Sequence, residues 1–394
     1  MHITHAGVIR PVTSFADLQS TIATSLAAIN KALSEDSPVV VSVRLSQAAL
    51  TDELLTAESL RALLAEHNLG LKGISAVSIS GGAKEQVHHP DWRTEERLGF
   101  MFPALNLAAE FATPEHEIGV TTNALSYRRW VDVDMPGNWA ALTLNVIRVV
   151  QHLVGIHDRT GKILHIDLEP EPGSVLRDTA DVVKFFSQWL LPRGGAMLSD
   201  RMQLSNGSAG EAILRHVRIA LDTAHAAVVW DDAAATLDAF AEHGIRIGRL
   251  QVSSAIEIEV PADEAAQKTM AEHLGAFTSP TLLQQVVGWQ DGEIKQRFDD
   301  LPDAIAVIGK SAGQTWRIHT HAPLLADRYG VFASTRAETS AWLREIARRG
   351  IDIGMIELRS ANWEVVPHDD RGPLESMIMQ EAAWVRELLS SSSL

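Results

Sequence analysis

Four side chains with oxygen donors each close a short apolar run of the chain: Glu169, Asp222, Gln251 and Glu357. Three carboxylates and one amide oxygen are donors that suit a hard divalent ion such as Mn²⁺ or Mg²⁺. Carboxylates that crowd together also repel one another unless a cation neutralises them. The pattern therefore predicts a divalent metal held by these four residues, with Mn²⁺ or Mg²⁺ favoured.

A second group of polar side chains is predicted to bind substrate: Arg44, Glu171, His225, His319 and His321. Glu171 stands two positions after Glu169, so an extended chain would place both carboxylates on one side. An arginine such as Arg44 can bind a carboxylate or a phosphate. The histidines keep Zn²⁺ open as an alternative ion, because zinc sites are rich in imidazole.

Each of these residues also has an ordinary structural explanation. A carboxylate at the end of a strand often caps a helix, and a single histidine in a strand is often a buried core residue. A network of salt bridges would explain clustered carboxylates without any metal, and four arginines could form it: Arg44, Arg215, Arg317 and Arg359. The recurrence of such residues at four strand ends is what favours a functional site.

These side chains can meet only if the apolar runs are strands of one sheet. Helical patterns separate the runs: one is predicted from Thr51 to Asn68, and another is capped by Asp232 and ends at Gly244. Thr335 and Glu338 predict a capping box at the start of a later helix. Alternating strands and helices imply a parallel sheet, because parallel strands need crossover connections.

The predicted architecture is a (β/α)8 TIM barrel, in which side chains at the C-terminal strand ends converge on one mouth. There are nine strand candidates for eight places, so one must be accessory: 2–8, 38–45, 71–79, 116–122, 162–169, 217–222, 246–253, 315–319 and 351–358. An open doubly wound sheet is the alternative, but no Gly-x-Gly-x-x-Gly follows any candidate strand. We find no linker, and predict one domain over 1–389 with a flexible tail at 390–394.

Composition restricts the function further. The 394 residues carry a net charge of −16 and include no cysteine, which excludes disulfides and thiolate catalysis. An acidic surface disfavours nucleic acid as a partner. No signal peptide and no run of about 18 apolar residues is apparent, so a cytoplasmic location without membrane insertion is expected. The partner expected is a small molecule.

The segments that carry these residues resemble, in this order, the xylose-isomerase-like family, which includes sugar isomerases, epimerases and cyclitol dehydratases. A narrower resemblance is to the EboE family of metabolite-traffic proteins from ebo clusters. The resemblance rests on these segments: Val43-Arg44-Leu45-Ser46, Pro90-Asp91-Trp92, Leu125-Ser126-Tyr127, Leu168-Glu169-Pro170-Glu171-Pro172, Asp222-Thr223-Ala224-His225, Gln251-Val252-Ser253-Ser254, His319-Thr320-His321-Ala322-Pro323 and Trp363-Glu364-Val365-Val366-Pro367.

The chain departs from the pattern of the family at three places. Gln284 stands where an imidazole is expected, and Arg359 stands where a second carboxylate is expected. The early segment reads Gly7-Val8-Ile9-Arg10-Pro11 in place of an Asn-Ile-His-Pro pattern. The resemblance thus implies a retained metal shell and an altered substrate shell.

The resemblance implies an isomerase or epimerase, or a related lyase, that acts on a sugar or a cyclitol-like polyol. On this interpretation the metal stabilises an enediolate while Glu169 and Glu357 move the proton. One alternative is a non-catalytic protein that binds a metabolite for traffic or export. A remote alternative is an endonuclease of the abasic-site type, which shares the barrel but is disfavoured by the acidic charge.

Overall fold

The computed structural model describes residues 2–5, 12–33, 39–78 and 83–390. The strands are β1 (His2–His5), β2 (Val39–Leu45), β3 (Leu69–Ala76), β4 (Ile118–Asn123), β5 (Leu164–Glu169), β6 (Val217–Asp222), β7 (Ile247–Val252), β8 (Ser254–Glu259), β9 (Val286–Gln290), β10 (Glu293–Phe298), β11 (Thr315–Ala322), β12 (Arg328–Tyr329), β13 (Phe332–Ser334) and β14 (Met355–Leu358). They form two sheets, one parallel and one antiparallel.

The α-helices lie between and after these strands. They are α1 (Phe15–Thr21), α2 (Ala27–Leu33), α3 (Gln47–Leu50), α4 (Ala57–Glu66), α5 (Glu95–Ala109), α6 (Pro136–Thr160), α7 (Thr179–Phe185), α8 (Gly195–Met202), α9 (Asn206–His216), α10 (Thr223–Val228), α11 (Ala233–Glu242), α12 (Glu264–Gly275), α13 (Leu301–Ile305), α14 (Arg336–Arg349) and α15 (Leu374–Ser390). Two π-helical segments, Ile22–Leu26 and Phe186–Gly194, continue α1 into α2 and α7 into α8.

Eight parallel strands form a sheet that is nearly closed into a barrel, which confirms the predicted fold class. Their order is β1-β14-β7-β6-β5-β4-β3-β2. Between β1 and β2 the described residues form no strand ladder, so the closure is incomplete. The carboxyl ends of all eight strands point to one side, because every pairing in this sheet is parallel. The predicted strand at 2–8 runs beyond β1 into residues 6–8, which lie outside the described residues, as does the early segment from Gly7 to Pro11.

The ninth strand candidate is the accessory one. Residues 315–319 lie in β11, which belongs to a second, antiparallel sheet with the order β10-β9-β11-β8-β13-β12. This inserted sheet is formed between β7 and α14, and a single residue, Ser253, separates β7 from β8. It has an apolar cluster of its own, to which Ile256, Val286 and Trp316 contribute. The single-domain division at 1–389 stays a prediction, and tail residues 391–394 lie outside the described part of the chain.

The predicted helix boundaries fare unevenly. Asp232 caps α11 by accepting from Ala235 N at 2.8 Å, as expected. The helix predicted from Thr51 begins only at Ala57, after a cap by Thr56. The prediction of a capping box at Thr335 and Glu338 is wrong, because the Thr335 side chain makes no capping hydrogen bond to α14.

Both side chains of that predicted capping box have other partners. The hydroxyl of Thr335 accepts from Ala255 N at 2.8 Å, and Glu338 pairs with Arg317. These two contacts join α14 to the inserted sheet, because Ala255 and Arg317 belong to β8 and β11.

The interior of the barrel is polar and charged, whereas barrels of this type are commonly filled by branched apolar side chains. The Nδ1 atom of His165 lies 2.6 Å from Asp167 Oδ1, and Arg249 donates to Ser75 at 2.8 Å. Glycines leave the room for these groups. A Cβ atom at Gly119 or Gly248 would collide with Asp167. A Cβ atom at Gly73 would likewise collide with Arg249.

Among the described residues one helix, α6, is long and apolar enough to cross a membrane by length and composition alone. In this fold 61% of its most apolar window is buried, and its neighbours include α5, α9 and β5. These contacts are those of a core helix of the barrel layer.

Candidate active site

Three of the four predicted donors meet at the strand ends. Asp222 and Gln251 are register partners at the ends of β6 and β7. The amide Nε2 of Gln251 donates to Glu169 Oε2 at 3.2 Å. We call Glu169, Asp222 and Gln251 the strand-end shell. Its members come from β5, β6 and β7, so the parallel sheet itself brings them together.

The strand-end shell surrounds a guanidinium. Nη1 of Arg359 donates to Glu169 Oε1 and to Gln251 Oε1, and it lies 3.8 Å from Asp222 Oδ2. Burial lowers the pKa of Arg359, but the carboxylates of Glu169 and Asp222 outweigh it and hold this pKa above its usual value. Arg359 is therefore a fixed positive charge inside the shell.

Glu357, the fourth predicted donor, contacts a different arginine. Its Oε1 lies 3.4 Å from Nη1 of Arg249, and both side chains are fully buried. Gln251 is its register partner on β7, so its backbone stands beside the shell. The roles of Glu357 as metal ligand and as proton carrier stay predictions. In this structure its carboxylate pairs with a buried guanidinium.

The predicted four-donor set does not fit a divalent ion in this arrangement. The space between Glu169, Gln251 and Asp222 is taken by Nη1 of Arg359. A cation there would meet a guanidinium at contact distance, which is repulsive. The competing explanation, a network of arginines and carboxylates, describes these contacts better.

A second donor set does fit a metal ion. Asp222, His319 and His321 each offer a ligand atom, and these atoms all lie within 4.8 Å of one another. Burial lowers the pKa of both histidines well below its usual range, so the rings are neutral and can ligate. Two imidazoles and one carboxylate suit Zn²⁺ or another transition ion better than Mg²⁺.

The histidines of this set come from the inserted sheet, because both lie on β11. Nδ1 of His321 lies 3.6 Å from Asp222 Oδ2 and 3.1 Å from the hydroxyl of Ser253. The His319 and His321 rings meet edge to face, with centroids 4.8 Å apart. The inserted sheet thus supplies two of the three donors, and the barrel supplies Asp222.

His225 adjoins the same group. Its Nε2 lies 2.8 Å from the carbonyl oxygen of Arg177. A carbonyl only accepts, so Nε2 carries the proton and Nδ1 has a free lone pair. This buried Nδ1 has no hydrogen-bond partner among the described residues. Asp222 also caps α10 through the backbone N–H of His225 at 3.2 Å, so the helix cap and the site share one carboxylate.

The pKa values of Glu169 and Glu171 shift in opposite directions. Burial and the charge of Glu169 raise the pKa of Glu171 to about 8. Burial also acts to raise the pKa of Glu169, but the guanidinium of Arg359 outweighs it and holds that pKa below its usual value. The proton is therefore held more tightly by Glu171 than by Glu169.

His88 lies beside Glu171. Its Nε2 lies 3.0 Å from the carbonyl oxygen of Pro172, so Nε2 donates and Nδ1 is an acceptor. Nδ1 lies 3.5 Å from Oε1 of Glu171. A quarter of the Glu171 side chain is exposed, so this carboxyl reaches solvent at the mouth.

Arg44 lies near the shell, where the carboxylates of Glu357 and Glu169 act on its charge. Burial lowers its pKa to about 10, and the charge of Arg359 adds to this effect. Its Nε is buried and has no hydrogen-bond partner in the part of the chain that the structure describes. A guanidinium in this state can bind an anionic or hydroxyl group of a ligand.

Three important residues were not placed by sequence reasoning: Arg249, Arg359 in its actual position, and His88. A signal for Arg249 existed, because it precedes Gln251 by two positions on one strand. The strand period of two would have placed both side chains in the interior. His88 lies in a 3₁₀ turn, for which the sequence has no comparable pattern.

Comparisons with known proteins add structural neighbours only. A scan against protein-family models and a search of curated proteins both found no match. Among solved structures, a xylose isomerase-like TIM barrel protein from Mycobacterium smegmatis, in complex with magnesium, has 10% identity and a TM-score of 0.47, covering 96% of this chain and 90% of its own.

Two further solved structures are similar. A xylose isomerase domain protein from Alicyclobacillus acidocaldarius has 13% identity and a TM-score of 0.44, covering 100% of this chain and 99% of its own. The 3-keto-D-glucoside 4-epimerase from E. coli has 15% identity and a TM-score of 0.38, covering 78% and 97%. At these identities and scores the fold assignment rests on the sheet topology itself.

Proposed function

We propose that this chain is an isomerase or epimerase that transfers a proton on a small polyol, a sugar or a cyclitol, at the mouth of the barrel. One feature carries the proposal: two nearby carboxyl groups at the end of β5 have opposite environments, since Glu169 contacts the guanidinium of Arg359 while Glu171 faces no guanidinium at contact distance among the described residues, and their pKa values shift in opposite directions. Two carboxyl groups whose environments separate their pKa values are a common arrangement for an acid and a base.

The roles follow from the contacts. Glu169, ionised beside Arg359, accepts a proton from a substrate carbon. Glu171, partly exposed, donates a proton to a substrate oxygen, which gives an enediol. Return of a proton from Glu169 to a carbon of this enediol, and of a hydroxyl proton to Glu171, completes the isomerisation and restores both groups. Acid–base transfer of this kind accelerates a reaction by about 10² to 10⁴. Glu171 takes the part that the sequence suggested for Glu357, because Glu357 is fully buried against Arg249.

The remaining polar side chains bind and orient the substrate. Arg44 Nε and His225 Nδ1, which have no hydrogen-bond partner among the described residues, are the atoms that would bind hydroxyl groups. An ion held by Asp222, His319 and His321 would act, when bound, as a Lewis acid on a substrate oxygen. Loss of water from a polyol needs the same acid and base, so a related lyase activity uses the same assignment.

A second candidate function is a non-catalytic binder in metabolite traffic, of the EboE type. The contacts of Arg359 favour it, because a shell that is neutralised by its own arginine can hold a ligand without any chemistry. A cytoplasmic location and a small-molecule partner belong to both candidates. An abasic-site endonuclease is the weakest candidate, since the chain has a net charge of −16.

Hydrogen exchange with solvent tests catalysis directly. The protein is incubated in D₂O with a panel of aldoses, ketoses and inositols, with and without added Zn²⁺, and deuterium incorporation is followed by NMR. We expect exchange at one carbon-bound hydrogen of a panel member, and loss of exchange in Glu169→Gln and Glu171→Gln.

The matched control is Glu58→Gln, which changes an exposed carboxylate on α4. With this variant, the substrate should exchange hydrogen at the same rate as with the unsubstituted protein. If calorimetry shows that a panel member binds but NMR shows no exchange, the non-catalytic binder is favoured over the enzyme.

A further inference from the structure

We propose that Arg359 is the permanent cation of the strand-end shell and occupies the position that a divalent ion was predicted to fill. Of the two donor sets in the described residues, a metal then binds at Asp222, His319 and His321 and not between Glu169 and Gln251. The inference goes beyond the proposed function, since it holds whether or not the protein catalyses proton transfer.

The first argument is the position of the guanidinium. One nitrogen, Nη1, contacts both Glu169 and Gln251, with Asp222 Oδ2 at 3.8 Å. The amide of Gln251 is fixed at both ends, because its Nε2 donates to the other oxygen of Glu169. The shell is therefore a closed hydrogen-bonded unit around a guanidinium nitrogen.

The second argument is that Arg359 is held in place. Its backbone N–H donates to the carbonyl of Val252 at 2.9 Å, directly beyond β14. The next residue, Ser360, donates to Glu381 of α15 at 2.6 Å. The side chain of Arg359 is only 12% exposed. These contacts fix the backbone, and moving the guanidinium out into solvent would break its bonds to Glu169 and Gln251.

The third argument is charge. Glu169 and Asp222 contribute two negative charges to the shell, while Arg359 lies inside it and Arg44 acts on Glu169 from nearby. The shell is therefore already balanced. A divalent ion would add two positive charges beside two guanidinium groups, and this repulsion acts in a poorly hydrated site.

The test must separate the shell from the histidine set, because Asp222 Oδ2 faces both Arg359 and His321. A parent carrying His319→Ala and His321→Ala removes the imidazole ligands. Mn²⁺ binding to this full-length parent is then measured by calorimetry and by the electron paramagnetic resonance signal of the free ion. Thermal unfolding is measured with and without Mn²⁺.

We expect the parent to bind no Mn²⁺. Arg359→Ala in the parent should lose thermal stability, since two carboxylates lose their cation, and should then bind Mn²⁺. Saturating Mn²⁺ should raise its Tm by roughly 5 °C. Adding Glu169→Gln should abolish this binding.

Two matched variants are controls. Arg349→Ala removes an arginine of α14 that pairs with Asp238 and Glu345, and it should bind no Mn²⁺. Arg359→Lys keeps a positive charge in the shell, so it should fold and bind none.

Three results would overturn the proposal: Glu169-dependent Mn²⁺ binding by the parent, Mn²⁺ binding by Arg359→Lys, or an Arg359→Ala protein as stable as the parent that binds no ion. If Arg359→Ala fails to fold alone, folding on addition of Mn²⁺ supports the proposal. If Arg359→Ala and Arg359→Gln both remain unfolded when Mn²⁺ is added, the proposal is contradicted.

Discussion

Two carboxylate–guanidinium pairs lie inside the same barrel and differ in their surroundings. Glu357 and Arg249 are fully buried, and Arg249 also donates to Ser42 and Ser75. Glu169 and Arg359 stand at the mouth, where their side chains are 8% and 12% exposed. Glu357 and Arg249, the lower pair, are thus enclosed in the barrel interior. Glu169 and Arg359, the upper pair, are partly open at the mouth.

The two pairs contain the same kinds of side chain, and they differ mainly in their access to solvent. The hydrogen-bond partners of the lower pair in the described ranges lie on the interior wall of the barrel, at Ser42, Ile74 and Ser75. The upper pair stands near Glu171, a carboxyl whose pKa is raised by burial and by the charge of Glu169, and near His321 of the inserted sheet. A carboxylate that is next to both a proton donor and solvent can act on a ligand.

The largest effect is expected from Glu169→Gln at the upper pair. The amide keeps the volume and can still accept from Arg359, but it cannot take up a proton. The rate of deuterium exchange into the substrate should fall by about 10² to 10⁴. Exchange is measured by NMR, and an unchanged rate would remove Glu169 from the proton transfer.

The next effect concerns stability at the lower pair. Glu357→Gln removes the carboxylate that contacts the buried Arg249, and this costs about 3 kcal/mol. Urea unfolding should show this loss. The loss should exceed that of Glu169→Gln, because the upper pair is partly hydrated. Equal losses at the two sites would contradict the distinction between an enclosed and an open pair.

A third prediction concerns pH and Glu171. The unfolded chain releases this proton near the usual pKa of 4.5, while the folded chain keeps it to about 8. Folding stability contributed by Glu171 therefore falls as the pH rises through this window. The side chain of Glu171→Gln cannot ionise, so the stability of this variant relative to the unsubstituted protein should increase from pH 5 to 8. Tm values across this range measure it, and a constant difference would refute it.

The smallest effect is expected from Ser253→Ala, at the boundary between the barrel and the inserted sheet. The hydroxyl of Ser253 contacts His321 Nδ1 at 3.1 Å and helps to orient the ring. Its loss should weaken Zn²⁺ binding by roughly tenfold, as is usual for groups that orient a metal ligand. Competition with a chromophoric chelator measures this. Unchanged affinity would mean that His321 needs no such support.

Local patterns predicted the barrel because its strands are short β-branched or apolar runs between amphipathic helices. They did not identify β11 as accessory, since its antiparallel partners, β8 and β9, are distant in sequence. One local signal existed for the inserted sheet. Asp291 and Gly292, both with positive φ, form the turn between β9 and β10, and Asp-Gly is typical of such hairpins.

The convergence of Glu169, Asp222 and Gln251 followed from the parallel sheet alone. The position of Arg359 did not, because a long side chain after a strand can point in several directions and only the packed structure selects one. The sequence did identify Arg359 as a departure and as a candidate for an arginine network. It could not decide between that network and a metal, since both balance the same carboxylates.

The interior glycines have a consequence for how this barrel can change over evolution. Gly119 and Gly248 leave no room for a Cβ atom next to Asp167, and Gly73 leaves none next to Arg249. Replacing one of these glycines alone would displace a charge that the wall depends on. We therefore expect position 167 to covary with positions 119 and 248 in homologues, and position 249 to covary with position 73.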